Sequence, residues 1–316
     1  MATIANDLVK PQIFFRTEAV VIEDKNILLV NVDEGISKPY KDNNGTIWLK
    51  QGADKRKLTD NSEILRLSQQ SSNLLVDEME IFDSTIDDID QRLFSDYFKK
   101  EFGRSYEERG LTYQEALKAK RILRNGKVTL AGLLFFGKEP QKFKPAFTVK
   151  VVSFVGNSMG GTQYRSKPSD LKGTIPELFN QTMMFLKANL HYVQNGQGFN
   201  SVGELEISQV VLEEVLQNAL IHRDYLKNAP VRVLVFDNRV EIISPGRLPN
   251  SLTTSEIVYG NPVIRNNQIV SYAIHTLPFS GLGTGLKRSL EIQPNIEFIN
   301  SYEGEQFIVK IPRRES

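Results

Sequence analysis

The chain has 316 residues, of which 40% are hydrophobic and 24% charged, and its formal net charge is +1. This length predicts two domains, because single hydrophobic cores stop growing at roughly 250–300 residues. A nearly neutral chain does not attract nucleic acid as a whole, so any polyanion site must be local. With no cysteine, the chain cannot form disulfides, thiolate metal sites or a cysteine nucleophile.

Targeting and membrane signals are missing from the sequence. The first ten residues, MATIANDLVK, contain no apolar core of the signal-peptide kind. The most apolar run, VTLAGLLFFG at 128–137, is shorter than the roughly 20 residues that a membrane helix needs. We therefore expect a cytoplasmic protein that does not bind membranes.

The first 60 residues alternate with the period of strands. AVVIEDKNILLVNV at 19–32 predicts a hairpin with an Asp-Lys-Asn turn at 24–26, and GTIWLKQG at 45–52 predicts another strand. After it comes a basic cluster: Lys50, Lys55, Arg56 and Lys57. Such a cluster is often only a solvated edge, but it is also the best local candidate for contacts with nucleic-acid phosphates.

An acidic, turn-rich segment at 75–90 separates two patterned regions and predicts a linker. QRLFSDYFKKEFG at 91–103 and TYQEALKAKRIL at 112–123 then predict two helices around a glycine-bearing loop. A helix-turn-helix fragment is the alternative to a plain interdomain pair, although the second helix has no evident base-reading face.

The pattern changes again from residue 127 onward. Strands are predicted for VTLAGLLFFG and for AFTVKVVSFVG at 146–156, and helices near 174–190 and 207–224. VRVLVFDNRVEIIS at 231–244 predicts two strands joined at Asp237 and Asn238, and a final pair follows at 296–311. This order predicts an α+β layer sandwich of mixed, mostly antiparallel sheet with helices on one face.

The predicted helix LEEVLQNALIHRDY at 212–225 carries Glu214, Asn218 and His222 at intervals of four. Four residues advance a helix by about 400°, so these side chains share one stripe. A carboxylate and an amide oxygen one turn apart suit Mg²⁺, and the carboxylate could instead orient a water molecule. The alternative for Glu214 and Asn218 is a solvated surface pair. For His222 a structural role is favoured over acid–base chemistry.

Two glycine-bearing stretches add candidates. SGLGTGLKRSL at 280–290 places three glycines before a predicted helix, where backbone N–H groups can meet a phosphate; the alternative is a plain turn. EIISPGRLP at 241–249 breaks the chain directly after a strand that reads as buried, and the alternative there is a strand-ending turn.

With these motifs in this order, the chain resembles the Bergerat or GHKL ATPases, the superfamily of gyrase B, MutL and histidine kinases. It is more closely similar to bacterial divergent-AAA or RecG-like transcriptional regulators, which join a Schlafen/Alba-type DNA-binding domain to such an ATPase-like domain. The matching phrases are TLAGLLFFGKEPQKF, LQNALIHRDY, DNRVEIISPGRLP and GTGLKRSL, with TIWLKQGADKRKLT and EILRL nearer the start. The implied division is the second half of an Alba-type domain at 1–75, an acidic linker with helices at 76–126, and a GHKL ATPase-like domain at 127–316.

The resemblance also implies residue roles. Glu214 takes the place of the water-activating carboxylate and Asn218 that of the Mg²⁺ ligand. Gly246 lies beside the adenine, and Arg265 is a candidate phosphate contact within a flexible lid at 261–279. The phosphate turn is implied for Gly281, Gly283, Thr284 and Gly285.

Two departures from the family pattern affect these expectations. Ser244 stands where the superfamily normally has an aspartate that accepts from the adenine amino group, and a neutral acceptor is weaker than a charged one. The Alba-type domain usually begins earlier, and the regulators often end in a winged helix. We therefore expect this sequence to be a piece of a longer protein.

The predicted function is an ATP-binding, DNA-associated transcriptional regulator with Mg²⁺ as cofactor, weak ATPase activity at most, and homodimerisation as a further expectation. The alternative is a non-catalytic DNA-binding or dimerisation module on a degenerate ATPase fold. A helicase is disfavoured, because the sequence has no Walker-type phosphate loop.

Overall fold

The computed structural model describes residues 7–32, 37–51, 54–70, 74–160, 163–194, 203–248, 252–258 and 264–313. The chain divides into two compact units, residues 1–75 and residues 76–316. Within the described residues no helix is long and apolar enough to cross a membrane.

The described part of the first unit consists of short antiparallel ribbons and the helix α1. Its elements are β1 (Val9–Lys10), β2 (Phe15–Ile22), β3 (Lys25–Val32), β4 (Lys41–Asp42), β5 (Trp48–Gln51), β6 (Asp54–Lys57) and α1 (Asn61–Gln70). Three two-stranded sheets pair β1 with β4, β2 with β3, and β5 with β6. The predicted hairpin and the strand in GTIWLKQG are therefore confirmed.

The turn of the first hairpin lies one residue earlier than the sequence predicted. Ile22 pairs with Lys25, so the two loop residues are Glu23 and Asp24 rather than 24–26. Both have positive φ, 48° and 59°. A two-residue loop of this kind matches the right-handed twist of the flanking strands, which explains why the tighter turn forms.

The second unit contains most of the regular structure. Its helices are α2 (Gln91–Phe102), α3 (Tyr113–Ala119), α4 (Leu130–Phe136), α5 (Pro140–Phe143), α6 (Ile175–Asn189), α7 (Gln209–Ile221), α8 (Thr254–Val258), α9 (Asn267–Thr276) and α10 (Gly285–Ile292). Its strands are β7 (Leu123–Arg124), β8 (Lys127–Val128), β9 (Val149–Phe154), β10 (Tyr164–Ser166), β11 (Tyr192–Val193), β12 (Glu204–Leu205), β13 (Val231–Val235), β14 (Arg239–Pro245), β15 (Glu297–Ser301) and β16 (Gln306–Pro312). Short 3-10 helices occur at Val76–Glu78, Ile86–Asp88 and Glu107–Arg109.

Six strands form one mixed sheet in the order β10-β9-β13-β14-β16-β15. Only the β9–β13 pair is parallel, and the other neighbours in this sheet are antiparallel. Helix α6 packs on β9 and β13, while α7 packs on β14. The α+β class and the mixed, mostly antiparallel sheet are thus confirmed.

The prediction of a strand at 128–137 is wrong, because residues 130–136 form helix α4. Thr129 caps its N-terminus by accepting from the backbone N–H of Gly132 at 3.2 Å. Every residue of this helix is buried. A helix buried on all sides shows no polar face, so its apolar run cannot be distinguished from a buried strand by periodicity.

Residues just after the start of the second unit hold helix α9 in place. The Asp77 carboxylate accepts from the backbone N–H groups of Gln268 at 2.7 Å and Ile269 at 3.2 Å. These donors belong to the first turn of α9, where helix N–H groups have no partner within the helix. Tyr272, farther along α9, is fully buried and its hydroxyl donates to the Lys120 carbonyl at 2.5 Å.

Candidate functional site

Helix α7 presents a hydrogen-bonded carboxylate–amide pair. The amide nitrogen of Asn218 donates to the Glu214 carboxylate at 2.8 Å and to the Glu214 backbone carbonyl at 2.8 Å. The spacing of four residues that suggested a shared stripe thus brings the two side chains into contact. Since the amide nitrogen is used by Glu214, the amide oxygen is the Asn218 atom that suits a ligand or cation.

The Glu214 carboxylate also lies against the start of helix α10. A Cβ atom added at Gly285 would stand 1.9 Å from the carboxylate carbon of Glu214. Only glycine allows the two groups to approach so closely. Arg288, one turn further along α10, places its guanidinium 3.8 Å from the same carboxylate. A carboxylate, a cationic side chain and a helix N-terminus therefore meet at one point.

The end of strand β14 forms a second wall. The buried Ser244 hydroxyl donates to the Ala219 carbonyl of α7 at 2.9 Å. Two residues on, Gly246 has a φ of 97°, and a Cβ there would lie 2.3 Å from the Cβ of Asp224. This chain reversal requires glycine, because it combines a left-handed backbone with a close approach to the C-terminal side of α7.

These walls enclose one hollow with a cavity volume of about 140 Å³. Its polar lining includes Glu214, Asn218 and Ser244, and Gly246, Gly281, Gly283 and Gly285 also face it. Most of the other lining side chains are apolar: Val215, Ala219, Ile242, Leu248, Leu252, Ile257, Ile264, Val270, Phe279, Leu286, Phe307 and Val309. An apolar cavity with a few convergent polar groups is the usual form of a small-molecule site.

Arg265 and Thr284, two further predicted residues, do not line this hollow. The Arg265 guanidinium donates to the Arg247 carbonyl at 2.6 Å and stands beside Gly246. Thr284 is exposed and directly precedes α10. Of the predicted lid at 261–279, residues 261–263 lie outside the described residues, while its later part forms the packed helix α9.

His222 lines the hollow together with Glu214 and Asn218, as their shared stripe on the helix predicted. Its ring meets Phe279 edge-on, with centroids 6.3 Å apart. Burial, and next the positive charge of Arg265, lower the pKa of His222 to about 4. The imidazole is therefore neutral at neutral pH, and it offers one donor and one acceptor to whatever occupies the cavity.

Sequence reasoning missed two arginines of this region. Arg247 lines the hollow and stacks on Tyr302 with its guanidinium 4.7 Å from the ring centre. Arg288 stands beside Glu214. Both arginines lie in the two stretches that were selected as candidates for their glycines. Their position after a glycine turn could have identified them from the sequence.

The donor set around Glu214 fits a magnesium ion that is shared with phosphates. Among the described residues there is no cluster of three or more His, Cys, Asp or Glu side chains able to hold a metal. The carboxylate of Glu214 and the amide oxygen of Asn218 are hard oxygen ligands of the kind that Mg²⁺ prefers. Mg²⁺ commonly takes only one or two protein oxygens and completes its shell with water and phosphate oxygens.

The predicted nucleic-acid residues lie in the first unit, on the β5–β6 hairpin. Lys50, Lys55 and Lys57 are exposed. The guanidinium of Arg56 is instead bound by the Glu63 carboxylate of α1 through two hydrogen bonds of 3.0 and 2.7 Å. The cluster is thus divided between three exposed lysines and one arginine that joins the hairpin to its helix.

The fold and this hollow define the class of the second unit, an α+β domain with a partly open cavity between α7, the end of β14 and the start of α10. Residues 228–297 match the family described as "Putative ATP-dependent DNA helicase recG C-terminal". Residues 2–59 match the family described as "Schlafen, AlbA_2". Each match covers less than half of the chain.

Among solved structures, the chain is similar to the DIP2311 protein from Corynebacterium diphtheriae, with a TM-score of 0.56 and 18% sequence identity. The similarity covers 96% of this chain but 60% of that chain, so this sequence spans less than two thirds of that protein. At this identity the likeness concerns the fold alone. A comparison with curated proteins finds no match.

Proposed function

We propose that the chain is an ATP-binding, DNA-associated regulatory protein whose nucleotide site is the hollow between α7, β14 and α10. The observation that carries the proposal is that Glu214, Asn218 and Ser244 line the same cavity as Gly246 and Gly285. The family matches to a recG C-terminal segment and to a Schlafen, AlbA_2 segment support the nucleotide and DNA parts respectively.

The phosphate end of the proposed site is the contact between Glu214 and the start of α10. The helix N-terminus offers unpaired N–H groups and the positive end of its dipole to an anion. Arg288, 3.8 Å from the carboxylate, can turn to a phosphate, since a guanidinium matches phosphate oxygens well. Asn218 would hold Mg²⁺ through its amide oxygen, and the ion would supply charge neutralisation to the phosphates when bound.

Glu214 is the residue that we assign to water activation. Its carboxylate is oriented by the Asn218 amide at 2.8 Å and is only 13% exposed. A carboxylate fixed in this way can accept a proton from a water molecule that attacks the terminal phosphate. Turnover would be slow. The negative charge that develops on the phosphate needs a cationic partner, and among the described residues only one cationic side chain, that of Arg288, stands close to the Glu214 carboxylate.

Ser244 is proposed as the acceptor for the adenine amino group. Its hydroxyl proton already points to the Ala219 carbonyl, so the lone pairs on its oxygen stay available. The neighbouring apolar side chains, such as Ile242 and Val309, suit the faces of a purine. Adenine would therefore be held by one neutral hydrogen bond and by apolar contacts.

The cavity is small for a whole nucleotide. Its volume of about 140 Å³ is below the roughly 300–1,000 Å³ of typical ligand sites. The cavity is partly open, so a nucleotide can extend beyond it, and we expect lining residues such as Leu252 and Ile257 of the α8 region to move outward around the ligand. Helix α9 is held by Asp77 and by its buried Tyr272, so we expect the movement before residue 266.

The same small volume, together with the neutral Ser244, favours one second candidate, a non-catalytic DNA-binding or dimerisation module on this fold. Hydrolysis assays on purified variants separate the two. Under the leading proposal Glu214→Gln keeps Mg·ATP binding and loses hydrolysis. Glu213→Gln, a matched change on the same helix at a residue bonded to Gln209, keeps both. If Glu214→Gln and Glu213→Gln behave alike, the catalytic assignment is wrong.

A further inference from the structure

The β5–β6 hairpin sorts its side chains onto two faces. Residues opposite each other in an antiparallel pair share a face, and alternate residues along a strand do so as well. Trp48 is opposite Lys57, and Lys50 is opposite Lys55. One face therefore carries the tryptophan with three lysines, and the other carries Leu49 and Arg56.

The face with Leu49 and Arg56 packs within the first unit. Arg56 is bound to Glu63 of α1. Leu58, which continues that face beyond Arg56, is 4% exposed, and its backbone N–H donates to Ile47 at 2.8 Å. The face with Trp48 is the outer one, where this residue is 47% exposed.

The indole is held in one orientation although it is exposed. Its ring N–H donates to the Asp42 carboxylate at 2.9 Å. Asp42 is itself fixed, because it accepts from the backbone N–H groups of Asn44 at 2.9 Å and Thr46 at 2.8 Å. The Lys55 ammonium lies 5.0 Å from the ring centre. An exposed apolar ring that is fixed at its edge can stack on a partner with little loss of side-chain entropy.

From this arrangement we propose that the outer face of the β5–β6 hairpin, formed by Trp48, Lys50, Lys55 and Lys57, binds unpaired single-stranded DNA by stacking one base on the indole. The lysines supply contacts to the flanking phosphates, which are independent of sequence. Aromatic rings flanked by cations are the usual platform for single strands. In duplex DNA the faces of the bases are covered by their neighbours, so the indole would gain nothing there.

This inference deepens the DNA-associated part of the proposed function and is independent of the nucleotide site. Lys55 now lies over the indole, where an ammonium is attracted by the ring. When a base stacks on the indole, it displaces the Lys55 ammonium from the ring, and the ammonium is then free to contact a phosphate. The Asp42 carboxylate on the same edge is engaged by the indole and by two backbone groups, which reduces its repulsion of the strand.

Trp48 is the single tryptophan of the chain, so intrinsic fluorescence reports on this site alone. The test titrates the full chain with an oligothymidylate of about 15 nucleotides, within the size range of single-strand sites. We expect quenching of the tryptophan emission that saturates, and an affinity that falls with salt with a log–log slope of about −2, as three phosphate contacts predict.

Variants are compared by the anisotropy of a labelled oligonucleotide. Trp48→Ala should weaken binding by about 5- to 150-fold, the usual range for loss of one stacked base, while Trp48→Phe keeps most of the affinity. Lys50→Gln should reduce the salt slope by about 0.7. The matched control is Lys25→Gln, which changes an exposed lysine of the other hairpin in the same unit and should have no effect.

Each alternative result has a distinct meaning. Tighter binding of a duplex of the same length, without quenching, overturns the single-strand assignment and leaves the DNA-associated function standing. Tighter binding of the matching RNA overturns the assignment to DNA. Absence of binding to every nucleic acid overturns the inference together with the DNA part of the proposed function, while Mg·ATP binding on the same preparation reports separately on the nucleotide part.

Discussion

Gly285→Ala is the most informative single change, because its Cβ would occupy the space of the Glu214 carboxylate. The distance of 1.9 Å to the carboxylate carbon is far below any van der Waals contact, so the carboxylate must swing away. The displaced atoms are the end of a flexible side chain, and the backbone can stay in place. The change should therefore disturb the site much more than the fold.

The change in the free energy of unfolding for Gly285→Ala follows from two opposing contributions. Loss of the Glu214–Asn218 hydrogen bond, which involves a charged acceptor, costs about 1.5–3 kcal/mol. Replacement of glycine by alanine within a helix returns about 0.5–1 kcal/mol. We expect a net destabilisation of about 0.5–2.5 kcal/mol, measured by urea denaturation.

Gly246→Ala provides the contrast. There the added Cβ meets the Cβ of Asp224 at 2.3 Å, and the backbone has a φ of 97°. Asp224 cannot withdraw easily, because its backbone N–H donates to the Pro245 carbonyl at 2.8 Å. Backbone strain of about 1–3 kcal/mol adds to overpacking of about 1–3 kcal/mol, so this variant should be the less stable of the two.

A double-mutant cycle tests the reasoning directly. In a Glu214→Ala background the carboxylate is gone, so Gly285→Ala should become neutral or stabilising by up to about 1 kcal/mol. If Gly285→Ala costs the same in both backgrounds, the carboxylate does not occupy the space beside Gly285 and the described geometry of the site is wrong.

Three further predictions concern His222, Ser244 and Asp77. The folded-state pKa of His222 is about 4 against an ordinary 6.5, so the unfolded chain takes up the proton first and stability falls as the pH drops from 6.5 to 4. At about 1.4 kcal/mol for each pKa unit, the loss of stability is at most about 3.5 kcal/mol. Urea denaturation at several pH values should show this loss, and His222→Gln should remove it. If the pH profile of the variant matches that of the unchanged protein, His222 is not the responsible group. Ser244→Ala should weaken ATP binding, measured by calorimetry, and should lower the stability by about 1 kcal/mol through loss of the hydrogen bond to Ala219. If the variant binds ATP as tightly as the unchanged protein, Ser244 does not recognise the base. Asp77→Ala should destabilise the chain by about 1–2 kcal/mol, and Asp77→Asn by less, because asparagine also caps helices; equal losses in thermal unfolding would contradict the capping role at α9.

The sequence predicted those parts of the fold whose pattern is local. Helix α2 was recognised from its apolar spacing, and it ends at Gly103, which has the positive φ of a helix C-cap. The β13–β14 pair was recognised from its alternation and its turn. Helix α4 was mistaken for a strand, because no polar residue marks a face on a segment that is buried all round.

The candidate site shows the same limit. The contact between Asn218 and Glu214 is local in the helix and follows from spacing. The approach of Gly285 to Glu214 joins residues that are distant in sequence, so the identity of the partner could not be derived from either stretch. The distinct roles of Arg56 and Trp48 also depend on which face of a hairpin packs on α1, and the sequence of the hairpin alone does not decide that.

The central claim is that Glu214, Asn218 and the glycine-bearing start of α10 surround one magnesium–nucleotide site. Calorimetric titration of the full chain with ATP, in the presence and absence of Mg²⁺, tests it most directly. We predict binding that Mg²⁺ strengthens, with Asn218→Ala losing that dependence while Glu213→Gln retains it. No heat and no thermal shift at millimolar nucleotide, or a metal dependence that Asn218→Ala leaves unchanged, would contradict the claim.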